Sequence, residues 1–293
     1  MKIETLFEGV GERLCCPICK HYPLEIRKVP GKEEQGALFC SPCARVFCIS
    51  NGIPDFLPPE ANYWKLWKKR LKQFDRRATG WTEEDAQERI PTMEGLFQHF
   101  HPFKGSLLDI GCGDGEVRSF LGDVEYWGID PEDWITSPKH TFNKESLFPG
   151  IQKPFPLFLG VGEYLPFKDQ VFDNILIFSS FDHVQSPREV LRESFRVLKR
   201  GGSLVVMLQL SDPEYQIPRS KVRKLGASLQ RGISKLPKGD FLGFAKGMMR
   251  TLFDKPDLSF TKKGIEELFG TFFLNLEMEI LPGGDTFVRA RKP

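Results

Sequence analysis

The sequence predicts an α/β fold on a mostly parallel sheet, with a small metal-held ribbon at its N-terminal end. Three observations carry this. The apolar run Leu107-Leu108-Asp109-Ile110 ends beside an acid and enters Gly111-Cys112-Gly113-Asp114-Gly115. Strand-like and helix-like segments alternate from about residue 83 to 210, which implies parallel strands with helices on both faces. Six of the seven cysteines fall before residue 50.

The cysteines define the first unit, residues 1–58. Cys16-Pro17-Ile18-Cys19 and Cys40-Ser41-Pro42-Cys43 are two C-x-x-C knuckles 20 residues apart. Four thiolates on two tight turns close a tetrahedral shell around Zn²⁺, as structural sites do. Cys15 reads as packing or exposed, and Cys48 as a small core residue. His21 has poor spacing for a ligand. A unit this small cannot bury enough apolar surface alone, so the metal supplies much of its folding energy.

Residues 59–82 form a linker. Within it Trp64, Trp67, Leu71 and Phe74 recur at helical spacing opposite a basic face, as in a docking helix or a nucleic-acid contact. Residues 83–293 form the second domain. It opens with a helix over 83–100, striped by Ile90, Met93, Phe97 and Phe100. Strands are expected near 106–110, 125–129, 156–161, 172–178 and 203–210, and the glycines after Ile110 should turn into a helix. A helix over 187–199 carries Val190, Leu191, Ser194, Phe195 and Leu198 inward. A basic insert at 211–258 interrupts the pattern, either a lid over an anionic substrate or a solvated helical pair. A helix with Ile265, Leu268 and Phe269 follows, then a hairpin of 274–281 and 286–291.

Formal net charge is +2, with 40% hydrophobic and 27% charged residues. No global field argues for nucleic acid or membrane, and no run reaches spanning length. A cytoplasmic protein is expected, and cysteines in such a chain point to metal more than to disulfides.

Asp109 with G-x-G-x-G resembles the first motif of the class I S-adenosylmethionine-dependent methyltransferases. Tyr126-Trp127-Gly128-Ile129-Asp130-Pro131 ends a second strand in an acid that can accept ribose hydroxyls. Gly162-Glu163-Tyr164-Leu165-Pro166-Phe167 with Phe172-Asp173, then His183-Val184 and Glu193-Ser194-Phe195-Arg196-Val197-Leu198-Lys199-Arg200-Gly201-Gly202, resemble the later motifs of the ubiquinone- and menaquinone-pathway-like branch, methyltransferase type 11. Phe47 to Pro58 looks like the end of the zinc-ribbon proteins known as partners of RNA and protein methyltransferases. The resemblance implies a seven-stranded, Rossmann-like sheet whose last strand is antiparallel.

It also implies a site. Asp109 would hold the cofactor's amine, the backbone of Gly111, Cys112 and Gly113 would approach the same moiety, and Asp130 would bind ribose. Pro131 and Val161 would flank adenine, with Gly162 and Glu163 beside it. Phe178 and Ser179 would line the methionine side. Val161 stands where the family often has a polar residue, so backbone must meet the adenine amine. His183, with Asp182 beside it, is the candidate base, or else a packing histidine.

The reading is methyl transfer from S-adenosylmethionine to a small or mid-sized metabolite, with Zn²⁺ in the ribbon. The alternatives are an RNA methyltransferase gripping phosphates through ribbon and basic helices, and a non-catalytic cofactor-binding protein that recruits a partner. The oligomeric state is not legible.

Overall fold

A computed structural model describes residues 10–29, 31–58, 83–100, 103–133, 144–215, 258–281 and 285–293. The expected linker helix at 63–74 and nearly all of the basic insert lie outside these residues.

The ribbon is a four-stranded antiparallel sheet in chain order: β1 (Glu25–Val29), β2 (Lys32–Cys40), β3 (Arg45–Ser50) and β4 (Ile53–Pro54). Asn51-Gly52, both at positive φ, makes the tight turn from β3 to β4 that this dipeptide favours. Leu38, Cys40, Phe47 and Ile49 are buried on one face. Cys48 is exposed, a correction to its expected core place. It pairs with Ala37 while Phe47 pairs with Leu38, and the strand's two-residue period sends it to the outer face. Cys15 is buried, and its thiol donates to the Phe167 carbonyl at 3.0 Å.

The second sheet has seven strands: β5 (Ser106–Ile110), β6 (Glu125–Asp130), β7 (Leu157–Leu159), β8 (Phe172–Phe178), β9 (Leu198–Gln209), β10 (Leu274–Ile280) and β11 (Asp285–Arg291). Their order is β10-β11-β9-β8-β5-β6-β7. β5 to β9 are mutually parallel, and β11 runs antiparallel to both β9 and β10. Chain order reverses between β5 and β8. In open sheets that reversal leaves a crevice beyond the strands' carboxyl ends.

α1 (Glu83–Phe100) lies where the apolar stripe predicts, with Met93, Phe97 and Phe100 buried. α2 (Pro187–Val197) starts at Ser186, whose hydroxyl accepts from the Glu189 amide, an ordinary N-cap. It ends earlier than expected. Leu198 is extended and opens β9, pairing with Phe172. α3 (Lys262–Gly270) is capped by Thr261.

The glycines after β5 do not lead into an α-helix. A single 3-10 turn, Glu116–Ser119, follows them. The whole connection from β5 to β6 is fourteen residues, 111 to 124, close to the minimum of about a dozen for a crossover between parallel strands, and the glycine turn takes the first five of them. Arg118 ties this short return down by donating to the carbonyls of Gly150 and Lys153, with its guanidinium over Phe155.

The connection from β7 to β8 is short as well, with one 3-10 turn, Gly162–Tyr164, and it leaves Trp127, Phe158 and Phe167 without a helix above them. The ribbon covers them. Phe56 packs on Phe47 and Phe158. Val10, Leu14, Phe47 and Phe56 belong to one apolar cluster with Trp127, Phe158 and Phe167. The Phe56 amide donates to the Leu159 carbonyl at 2.8 Å, so the chain after β4 runs beside β7. Arg13 sits over Trp127 and pairs with Glu125 at 2.9 Å.

Candidate functional site

The metal centre comes first in the chain. The Sγ atoms of Cys16, Cys19, Cys40 and Cys43 all lie within 4.8 Å of one another. Cys16 and Cys43 are 3.6 Å apart and Cys19 and Cys40 3.4 Å. A tetrahedral Zn–S shell of ~2.3 Å bonds needs sulfurs roughly 3.8 Å apart. The donor set and its spacing therefore fit zinc. Four thiolates leave no position for a substrate, so the site is structural.

The second centre lies over β5, β6 and β8. Gly111, at φ +78°, donates its amide to Ile129 at 2.8 Å. A Cβ there would fall 2.5 Å from Ser180, whose hydroxyl holds the Ile110 carbonyl at 2.8 Å. Gly113 differs. A Cβ on it would meet nothing within 4 Å. The loop is thus wedged on one side and open at Gly113, where a ligand can approach the backbone.

Two acids flank that opening. Asp130 accepts from the amides of Gly113 and Glu132, each at 2.9 Å, so it shapes the loop. Asp109 is buried in the middle of the sheet, and the Tyr126 hydroxyl donates to its Oδ2 at 2.6 Å. Its Oδ1 is buried with no hydrogen-bond partner among the described residues. Burial pushes the Asp109 carboxyl up to about 7, the Tyr126 hydrogen bond opposes this, and the charges of Asp130 and Glu116 add to it. A buried acid with an unmet oxygen at a strand tip is suited to a cationic ligand group.

Beside them, Lys144 Nζ lies 2.8 Å from Asp114 and 2.6 Å from Glu116. Burial disfavours its charge, but Glu116 and Asp114 outweigh that and hold its pKa above the usual lysine value. Cys112 is buried, and its thiol is pushed up by burial and by the neighbouring carboxylates of Asp130, Asp109 and Asp114.

The remaining expected residues are placed as follows. Val161 and Gly162 are buried, and a Cβ on Gly162 would press on Ile110 and Val190. Glu163 is buried and its Oε1 accepts from Gln185 at 2.7 Å and Ser186 at 3.2 Å, so it secures the start of α2. Pro131 follows the tip of β6 and is half-buried. Phe178 ends β8 and packs on Phe97. Ser179, at φ +53°, is exposed with its hydroxyl 2.9 Å from the Met207 sulfur. Asp182 and His183 stand together in the 3-10 turn Phe181–His183, Oδ2 to Nε2 3.6 Å. The Asp182 carbonyl accepts from Leu258, where the chain returns from the insert.

Sequence reading missed Tyr126, Ser180 and Lys144. Tyr126 carried a signal: with Gly128 and Asp130 it repeats every second residue, and Gly128 pairs with Asp109, so all three share Asp109's face. Lys144 carried none.

Two stretches of the chain are similar to known families. Residues 108–206 match the family described as "Methyltransferase domain", and residues 12–52 match "Trm112p-like protein". "Squalene methyltransferase 1" of Botryococcus braunii is 28% identical over 205 residues, 68% of this chain and 52% of that protein. "Ubiquinone/menaquinone biosynthesis C-methyltransferase UbiE" of a Ruegeria species is 44% identical over 120 residues, 41% of this chain and 46% of that protein. The chain thus spans about half the length of these curated relatives. A SAM-dependent methyltransferase structure from Thermotoga maritima covers 78% of this chain and 99% of its own at a TM-score of 0.48 and 18% identity. No described helix is long and apolar enough to cross a membrane. The chain therefore joins a Trm112p-like segment, matched over residues 12–52, to a methyltransferase domain matched over residues 108–206.

Proposed function

We propose that this chain transfers a methyl group from S-adenosylmethionine to a small or mid-sized metabolite. The observation that carries the reading is the pair Asp109 and Asp130 at neighbouring strand tips around the open side of Gly113. The cofactor supplies an activated methyl on a sulfonium, so the protein's part is orientation and exclusion of water.

In this reading the Asp109 Oδ1 takes the ammonium end, and Asp130 accepts the ribose hydroxyls. Val161 and Pro131 enclose the adenine, whose amine must find backbone acceptors because Val161 has none to offer. Phe178 and Ser179 line the methionine side. His183, oriented by Asp182, removes the acceptor's proton where the chemistry requires one.

Two facts favour a metabolite over RNA. At the β8 tip Phe178 packs on Phe97, and the neighbouring Ser179 hydroxyl meets the Met207 sulfur, so these described contacts are apolar or neutral. Relatives whose names state an acceptor include methyltransferases of squalene, norajmaline, sterol and demethylmenaquinone.

The test is transfer of labelled methyl to a panel of isoprenoid, quinol and phenolic acceptors, with total RNA alongside. Label in the organic phase is expected. Label confined to RNA, with binding that weakens steeply in salt, would replace this reading with the RNA one. Cofactor binding with no transfer to any acceptor would favour a recruiting role.

A further inference from the structure

The sheet puts a phenol where the candidate cofactor acid needs a partner. Tyr126 pairs in register with Leu107, and Asp109 with Gly128. Leu107 and Asp109 share one face of β5, and Tyr126 and Gly128 share that face of β6. Gly128 lets Cys112 and Phe155 close in over this face: a Cβ there would lie 2.6 Å from both the Cys112 sulfur and the Phe155 ring. The Tyr126 ring lies edge-on to Phe155 at 5.0 Å and beneath the Arg118 guanidinium at 5.1 Å. Its hydroxyl reaches Asp109 Oδ2 at 2.6 Å, while Oδ1 stays buried and unmet among the described residues.

We infer that Tyr126 is a positioning residue for cofactor binding: its hydroxyl fixes the Asp109 carboxylate and presents Oδ1, ionised, to the ammonium group of S-adenosylmethionine. The inference rests on the site reading above and goes beyond it, since it concerns what sets the orientation and charge of Asp109. A phenol donating to a carboxylate strengthens the ionised form. That matters here because every other group that faces Asp109 either opposes its charge or is neutral. Asp130 on β6 and Glu116 in the 3-10 turn are anions that raise its pKa. Cys112 is a protonated thiol. Lys144 is engaged by Asp114 and Glu116. Arg118 serves the carbonyls of Gly150 and Lys153. From β8, the residue in register with Asp109 is Leu176.

Removing the phenolic proton donor therefore shifts the pH at which the cofactor binds, and leaves the high-pH limit nearly intact. With the Asp109 carboxyl at about 7, wild-type affinity for S-adenosylmethionine falls as pH drops through 7, approaching tenfold per unit below it. In Tyr126→Phe the midpoint moves up by about one unit. The variant is then weaker by about tenfold at pH 6.5 and converges on wild type toward pH 8.5. Asp109→Asn binds weakly, without this pH dependence, and adding Tyr126→Phe to it changes nothing further.

The experiment is calorimetric titration of S-adenosylmethionine into the full chain and these three variants from pH 6 to 8.5. An equal loss at all pH values in Tyr126→Phe would reduce Tyr126 to a packing residue and overturn the inference, as would a full effect in the Asp109→Asn background. If Tyr126→Phe does not fold, 3-fluorotyrosine at position 126 keeps the shape and strengthens the donor. Its midpoint should move down, and an unmoved midpoint overturns the inference. A wild-type chain with no affinity at any pH is a different failure, that of the cofactor reading itself.

Discussion

Lys20 Nζ, one residue beyond a zinc thiolate, lies 2.7 Å from Glu193 Oε2 on α2. Glu193 is buried, and the same carboxylate takes the Leu165 amide at 3.1 Å and Arg196 at 2.8 Å. Lys20 also donates to Pro17 within its own knuckle. The metal centre, α2 and the β7–β8 connection are therefore linked by one hydrogen-bonded cluster.

Zinc removal is expected to destabilise the whole chain. The cluster through Lys20 and the apolar contacts of Phe47 and Phe56 both depend on a folded ribbon. Differential scanning calorimetry with and without a strong chelator should show a single transition that moves down on chelation. Two separate transitions, with the upper one unmoved, would mean that the domains are energetically independent.

Glu193→Gln should lower stability by about 3 kcal/mol near pH 7, since it leaves Arg196 and Lys20 facing a neutral group in a buried cluster. Burial raises the Glu193 pKa, and its contacts with Arg196 and Lys20 outweigh that, so the net shift is downward from 4.5. The sign follows: a depressed acid stabilises fully above its unfolded pKa, and the contribution is lost as pH falls through the folded one. Urea denaturation should show the gap between wild type and variant closing in acid, below about pH 4.5. A constant gap would assign the loss to packing.

The two glycines at the candidate site should separate stability from binding. Gly111→Ala meets Ser180 at 2.5 Å and carries a positive φ, so it should cost more than ~1 kcal/mol in stability. Gly113→Ala has open space, and only its φ of +55° opposes it. It should lose less stability while weakening cofactor affinity at least tenfold. Thermal melts beside cofactor titrations decide. Equal binding in Gly113→Ala and wild type would place the cofactor elsewhere.

His183→Ala should leave cofactor affinity unchanged and lower turnover by about a hundredfold, the scale of one general base. Asp182→Asn should lower turnover less. Single-turnover rates with an acceptor from the panel make the comparison. A rate unchanged in His183→Ala removes it from the chemistry.

The parts of this molecule that could be read from sequence are those set by local pattern. Asp109 and Asp130 were legible because each ends an apolar run, and such runs bounded by glycine are buried strands. The four metal cysteines were legible from spacing alone. Cys48 and Leu198 were misplaced for one reason. Each sits where a one-residue difference in register or helix length changes the outcome, and composition does not encode that difference. The helix expected after the glycines did not form: the β5 to β6 connection has fourteen residues, and the glycine turn with its single 3-10 turn takes nine of them. The docking of Phe56 on Phe158 had no local signal: short β7 connections and a ribbon with one apolar face only become partners once the sheet exists.

The pairing of Phe56 with Leu159 also has a consequence for biogenesis. More than a hundred residues lie between these two positions, and synthesis runs from the N-terminus at about 5–20 residues per second. A nascent ribbon thus waits some seconds on the ribosome with Phe47 and Phe56 facing water. Early metal capture by the four thiolates is what keeps that half-finished surface in shape until its counterpart emerges.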